Sequence, residues 1–214
     1  PVPQDADGSS WNQPEPPRQN WEEDCLGRIS DLADDLRFQL GRQELIGMMR
    51  VIAGKARRLK LVTIEGNDTR PTTDRVKETL FNILQPDLPG CRFLDLFAGS
   101  GAIGIEALSR GANSAVFLDK SRDSIAAVKE NLKNTELMDK ATVLQMDSLA
   151  FLQSTQQKFD FIFIDPPYGQ GICQQALPLA VQVASDTGVI FCETRKHEQL
   201  PEQVGEFRVK RVYH

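Results

Sequence analysis

The 214-residue sequence predicts an α/β protein: a doubly wound, mostly parallel sheet behind a small N-terminal strand–helix cap. Three observations predict it. Apolar strand-like runs alternate with helix-like segments from Phe93 onward. A glycine-rich turn, Gly99-Ser100-Gly101-Ala102-Ile103-Gly104, follows the first run. A rigid Asp165-Pro166-Pro167-Tyr168 turn follows the apolar run Phe161–Ile164.

Taken in order, residues 1–48 carry 10 acidic and 4 basic residues, and residues 1–20 hold five of the twelve prolines. That acidic, proline-rich composition cannot bury a core, so disorder is expected, with a loose amphipathic helix over 21–45. The segment reads equally as a genuine extension or as a remnant ahead of a start at Met48-Met49. Residues 49–90 form the expected cap. Strands are expected at 50–53 and 59–64 around a basic turn. A helix starts at Arg70-Pro71-Thr72-Thr73-Asp74 and runs to about Leu84, because Val76, Leu80, Ile83 and Leu84 share a face. Pro86 and Pro89 then break the chain.

The core is expected over 91–214. It comprises strand Phe93–Phe97, helix Ala102–Arg110, strand Ala115–Asp119, helix Ser121–Asn134 and strand Ala141–Gln145. Helix Ser148–Gln153, strand Phe159–Ile164, helix Ile172–Ala184, strand Gly188–Cys192 and strand Phe207–Val212 follow.

Composition excludes several classes. No apolar run approaches the ~20 residues that a bilayer requires. No basic-then-apolar leader opens the chain. The four cysteines are widely spaced and the only histidines are His197 and His214, so neither a metal site nor a disulfide framework is expected. The expectation is a reduced, cytoplasmic, monomeric protein.

The glycine loop, with Asp119 ending the next strand, points to an adenosine-containing ligand at the sheet's C-terminal edge. Asp95 narrows the choice. A carboxylate there suits the amino-acid part of S-adenosylmethionine and repels a pyrophosphate. In the Asp-Pro-Pro-Tyr turn, the Asp165 carboxylate and Pro166 carbonyl supply two acceptors for an exocyclic amine, and Tyr168 supplies a stacking face. Pro167 completes the rigid turn. Arg50, Lys55, Arg57, Arg58 and Lys60 form a strip of cations without an acid, fitted to nucleic-acid phosphates. Arg208, Lys210 and Arg211 are a weaker example. Arg70, Thr72 and Thr73 fit either the ligand or the target, or equally a helix start.

The segments Met49–Lys55, Arg70–Glu78, Leu80–Leu84, Asp95–Gly101 and Asp165–Tyr168 together resemble the bacterial 16S rRNA guanine-N2 methyltransferases of the small-subunit methyltransferase D type. The resemblance covers 49–213. It implies a class I, Rossmann-like, S-adenosylmethionine-dependent fold and, as partner, ribosomal RNA in a partly assembled small subunit. By matching position, Ala98, Gly99, Ser100 and Gly101 would line the methionine part of the cofactor. Asp119, with Lys120 beside it, would take the ribose. Asp147 would accept from the adenine amine, flanked by Met146 and Ser148. Asp165 through Tyr168 would hold the guanine amine. Such proteins continue past Tyr213 into a last strand, so an incomplete terminal hairpin and an open sheet edge are expected here. A DNA adenine-N6 methyltransferase, an NAD-dependent dehydrogenase and a non-catalytic rRNA-binding assembly factor are the alternatives.

Overall fold

The structure is a computed structural model that describes residues 49–63, 74–167, 170–194, 198, 200–210 and 212. All lie in one compact unit, Ile46–His214. Expectations placed on residues 1–48, Arg70, Thr72, Thr73, Tyr168, His197, Arg211 and His214 lie outside the described residues.

The elements run α1 (Asp74–Leu84), β1 (Arg92–Asp95), α2 (Ala102–Ser109), β2 (Ser114–Asp119) and α3 (Arg122–Asn134). A 3₁₀ turn at Met138–Lys140 leads to β3 (Ala141–Gln145), α4 (Ser148–Ser154), β4 (Phe159–Ile164), α5 (Ile172–Val183) and β5 (Ala184–Cys192). A short pair, β6 (Gln203–Val204) and β7 (Phe207–Arg208), ends the described chain. The main sheet is wholly parallel, in the order β3-β2-β1-β4-β5.

Alternation along the strands builds a core on each face. Phe93, Ala115, Phe117, Phe161 and Phe163 pack with Phe81 of α1, Ile105 and Leu108 of α2, and Val128 and Leu132 of α3. Leu94, Val116, Leu118, Ile162 and Ile164 pack with Phe151 of α4 and Ala176, Ala180 and Val183 of α5. β4, covered on both sides, therefore reads as a nearly continuous apolar run, interrupted only by Asp160. α3 starts where Ser121 accepts from the Ser124 amide at 3.3 Å.

The expected strands at 50–53 and 59–64 do not form. Residues 49–63 make a loop closed by one antiparallel bridge, Arg50 with Lys60. Helix side chains take over the pairing that strands would have used. Glu106 of α2 accepts from the Ile52 and Ala53 amides at 2.7 and 3.0 Å. Ser109 accepts from the Ala56 amide at 2.9 Å and donates to the Ala53 carbonyl at 2.6 Å. Asn131 of α3 accepts from the Val62 amide at 2.7 Å, and Lys77 of α1 donates to the Arg50 carbonyl at 2.7 Å. Glu106 is fully buried, and Arg110 neutralises it at 2.6 Å. Gly54 is obligatory here: φ is +82° and a Cβ would lie 2.0 Å from the Ser109 carbonyl oxygen.

Two ends differ from expectation. β5 begins at Ala184, four residues early, because its register slips between Phe159 and Phe161 before settling at Val189–Cys192. The expected last strand shortens to Phe207–Arg208, folded back on Gln203–Val204 through Gly205 at φ +58°. Among the described residues, no helix is long and apolar enough to cross a membrane.

Candidate active site

Four acids stand at the C-terminal ends of four adjacent strands. Asp119 ends β2, Asp95 ends β1, Asp165 follows β4 and Glu193 follows β5. The glycine loop crosses in front of Asp119 and Asp95. Gly99 and Gly101 adopt φ of +52° and +80°, and the space where a Gly99 Cβ would stand is open. A side chain there would be strained and would also project over the site mouth.

The acids hold the loop. Asp119 accepts from the Gly99 amide at 2.9 Å and from the Ser121 amide at 2.8 Å. Asp95, 1% exposed, accepts from the Gly104 amide at 3.2 Å. Burial pushes the Asp95 carboxyl up to about 7; the amides of Gly104 and Phe97 work against that, and the charges of Asp165 and Asp119 add to it. Asp165 is likewise pushed up to about 7, first by burial and then by the charge of Glu193. Ala98 closes the turn, its amide on the Leu118 carbonyl at 2.8 Å.

Gly104 has a different duty. A Cβ on it would lie 2.3 Å from the Phe117 ring, so its absence lets α2 sit against the sheet. Gly104→Ala is expected to cost about 1–3 kcal/mol in a denaturant titration, because a rigid ring and the helix backbone must separate. A loss below a few tenths would mean that the ring simply turns aside.

On the flank, Asp147 caps α4 by accepting from the Ala150 amide at 2.8 Å and pairs with Lys120 at 2.5 Å. Lys120 holds the Asp147 carboxyl below the usual carboxylate range. Met146 is exposed beside it, as a wall for a flat ring would be. Ser148 departs from the expected role. Its side chain is buried and its hydroxyl donates to the Leu96 carbonyl, so it fixes the end of β1 instead of lining the mouth. Pro166 is buried and Pro167 exposed.

The basic loop lies against the same glycine turn. Ser100 donates to the Met49 sulfur at 3.3 Å, and Asn131 ties the Val62 carbonyl at 3.0 Å to the Ser100 carbonyl at 2.9 Å. Arg50, Lys55, Arg57, Arg58 and Lys60 are all exposed, while Val51, Ala56 and Leu61 anchor the loop. Arg208 and Lys210 are exposed on the β6–β7 pair and its exit.

Sequence reasoning missed two things. Glu106, Ser109 and Asn131 act through contacts about 50–70 residues away, which no local pattern displays. Glu193 had a signal: like Asp165, it is the acid that immediately follows an apolar strand.

The donor set favours a cationic adenosine ligand. The Gly99 and Gly104 amides that a pyrophosphate would use already serve carboxylates, and the four strand-end acids would repel it. A sulfonium and an ammonium are complementary to the same groups. S-adenosylmethionine is compatible with the residues present: Asp95 and the open face of Gly99 would take the methionine part, Asp119 the ribose, and Met146 and Asp147 the adenine. Among the described residues no metal-binding group of His, Cys, Asp or Glu occurs.

Known proteins are similar to this chain over most of its length. YlbH of Bacillus subtilis is 42% identical over 76% of this chain and 91% of its own length. Ribosomal RNA small subunit methyltransferase D of Haemophilus influenzae is 39% identical over 72% of this chain and 82% of its own. The solved structure of a putative methyltransferase from Escherichia coli has a TM-score of 0.65 at 34% identity, covering 72% of this chain and 86% of that one. The fold is that of S-adenosylmethionine-dependent methyltransferases, and the match of residues 49–213 to the family described as "Conserved hypothetical protein 95" shows that the chain belongs to that family.

Proposed function

We propose that the protein transfers a methyl group from S-adenosylmethionine to the exocyclic N2 of a guanine in 16S rRNA, within small-subunit assembly particles in the cytoplasm, and acts as a monomer. The observation that carries this reading is that Asp119 and Asp95, at adjacent strand ends, hold the Gly99 and Gly104 amides, with Asp165 opening the Asp-Pro-Pro turn on the next strand.

The cofactor supplies an electrophilic methyl on a sulfonium sulfur. A guanine N2 is a poor nucleophile because its lone pair is spread into the ring. The Asp165 carboxylate and the Pro166 carbonyl accept its two hydrogens and favour the pyramidal nitrogen needed for attack. As the N–C bond forms, the C–S pair returns to sulfur, and the extra proton on nitrogen passes to Asp165 or to water. Tyr168 would offer a flat face, to stack on the base or to wall the pocket, once the base has left its helix or loop. Asp95, Asp119 and the glycine loop align the donor methyl, so much of the rate comes from positioning. The relatives named ribosomal RNA small subunit methyltransferase D support the RNA substrate.

Labelled cofactor offered in separate reactions to undermethylated small subunits and to duplex DNA, followed by digestion to nucleosides, tests the reading. Label in N2-methylguanosine is expected. Label only in N6-methyladenine of duplex DNA would overturn it.

The basic loop supplies the RNA grip. The triple change Lys55→Ala, Arg57→Ala and Arg58→Ala is expected to lower the slope of log affinity against log salt by about 2–3, roughly one per lost phosphate contact. Cofactor affinity should stay the same. An unchanged salt slope would place the RNA elsewhere on the surface.

A further inference from the structure

We propose that Glu193 selects guanine as the target base, its carboxylate accepting the ring N1–H while Asp165 and the Pro166 carbonyl accept the hydrogens on N2. This rests on the guanine-N2 reading above and names the residue that sets its base choice.

Placement comes from strand register. β4 and β5 pair Phe163 with Phe191 and Ile164 with Cys192. The ladder continues one step further, since the Glu193 amide donates to the Ile164 carbonyl at 2.9 Å. Asp165 and Glu193 are therefore neighbours on strands about 4.8 Å apart. Side chains alternate along a strand, so both acids continue the face of Phe163 and Phe191. Ile164 and Cys192 point to the opposite face, into the core under α5. Asp95, matched to Phe163 across β1 and β4, shares the face of the two acids. Glu193 is half-buried, at the depth of Asp165. The two carboxylates feel each other, since the charge of Glu193 contributes to raising Asp165.

An Asp-Pro pair alone accepts from any exocyclic amine and does not choose a base. The atom next to the amine makes the choice. Guanine presents N1–H beside N2, a further donor. Adenine presents the N1 lone pair beside N6, and cytosine the N3 lone pair beside N4. A second carboxylate next to the first pairs with guanine's N1–H and repels the lone pairs of the other two. In a partly desolvated site, a lone pair facing a carboxylate, or an unmet N1–H, is costly.

The test uses small-subunit RNA ligated from fragments, with either guanine or 2-aminopurine at the methylated position, reconstituted into particles. 2-Aminopurine keeps the N2 amine and lacks N1–H. The full-length chain is expected to methylate the guanine particle roughly 10- to 100-fold faster than the 2-aminopurine particle. Glu193→Ala should lower the guanine rate, which loses its N1–H acceptor, and raise the 2-aminopurine rate, whose N1 lone pair no longer faces a carboxylate, so that the two rates converge. Thermal melting checks the fold, and Glu193→Met, which keeps length without an acceptor, stands in if the alanine variant melts early. Either variant keeping the wild-type ratio would overturn the assignment to Glu193 alone. So would a wild-type chain with no preference between the two particles. A wild-type chain that methylates neither particle would overturn the guanine-N2 reading, and this inference with it.

Discussion

Asp165→Ala is expected to lower kcat for methyl transfer by roughly 10²–10³-fold, the usual loss when a preorganised acceptor or donor is removed from a transition state. Cofactor affinity, measured by calorimetry, should change little, because Asp165 acts on the amine. The pH profile gives a sharper readout. An ionised Asp165 accepts from the amine, whereas a protonated one turns a hydroxyl donor toward it. With its carboxyl pushed up to about 7, the accepting fraction grows between pH 6 and 8. With cofactor and RNA both limiting, so that the rate reports the free protein, the wild-type rate should therefore rise about tenfold per pH unit below 7 and level off above it. Asp165→Asn keeps a carbonyl acceptor that does not titrate, so it should retain part of the rate with a flat profile across that window. A full wild-type rate in Asp165→Ala, or a slope surviving in Asp165→Asn, would remove Asp165 from the chemistry.

The parts of the fold that the sequence displays are those whose partners are generic. β4, Phe159–Ile164, and β3, Ala141–Gln145, stand where their apolar runs place them, because any sheet neighbour satisfies such a run. The segment 49–63 has strand-like residues but lies where particular side chains on α2 and α3 take its amides. Glu106 and Asn131 are charged or polar residues inside helices, and nothing local distinguishes them from surface residues. Much the same holds at the site. Gly99, Gly101, Asp119 and Asp165 are legible because the loop and the proline turn have spacings of their own. Ser148 shows the limit: it sits beside Asp147 in the sequence, yet it turns inward because the Leu96 carbonyl needs a donor. Strand register brings Glu193 beside Asp165, and register emerges only once the sheet is built.

Asp95 carries the second large effect, and its sign in stability is opposite to its sign in function. In the unfolded chain its pKa is near 3.8; in the fold, burial pushes it up to about 7. The folded state then binds more protons than the unfolded state between about pH 4 and 7, so this carboxyl makes stability fall as pH rises through that window. Above about 7 the whole penalty applies, at most about 4 kcal/mol for a shift of this size. Asp95→Asn keeps the shape and an acceptor for the Gly104 amide while removing the ionisation. The variant without cofactor should melt several degrees higher than wild type at pH 8, given ~2–4 °C per kcal/mol for a chain of this size. The gap should close by pH 4, where both side chains are neutral. In exchange, an uncharged side chain attracts the cofactor's ammonium less strongly, and affinity for S-adenosylmethionine should fall roughly 10- to 100-fold. On the function proposed above, such a buried carboxylate serves the ligand at the expense of the fold. An Asp95→Asn variant that melts below wild type at pH 8, or that binds the cofactor as tightly, would show instead that Asp95 supports the loop and leaves the cofactor to its neighbours.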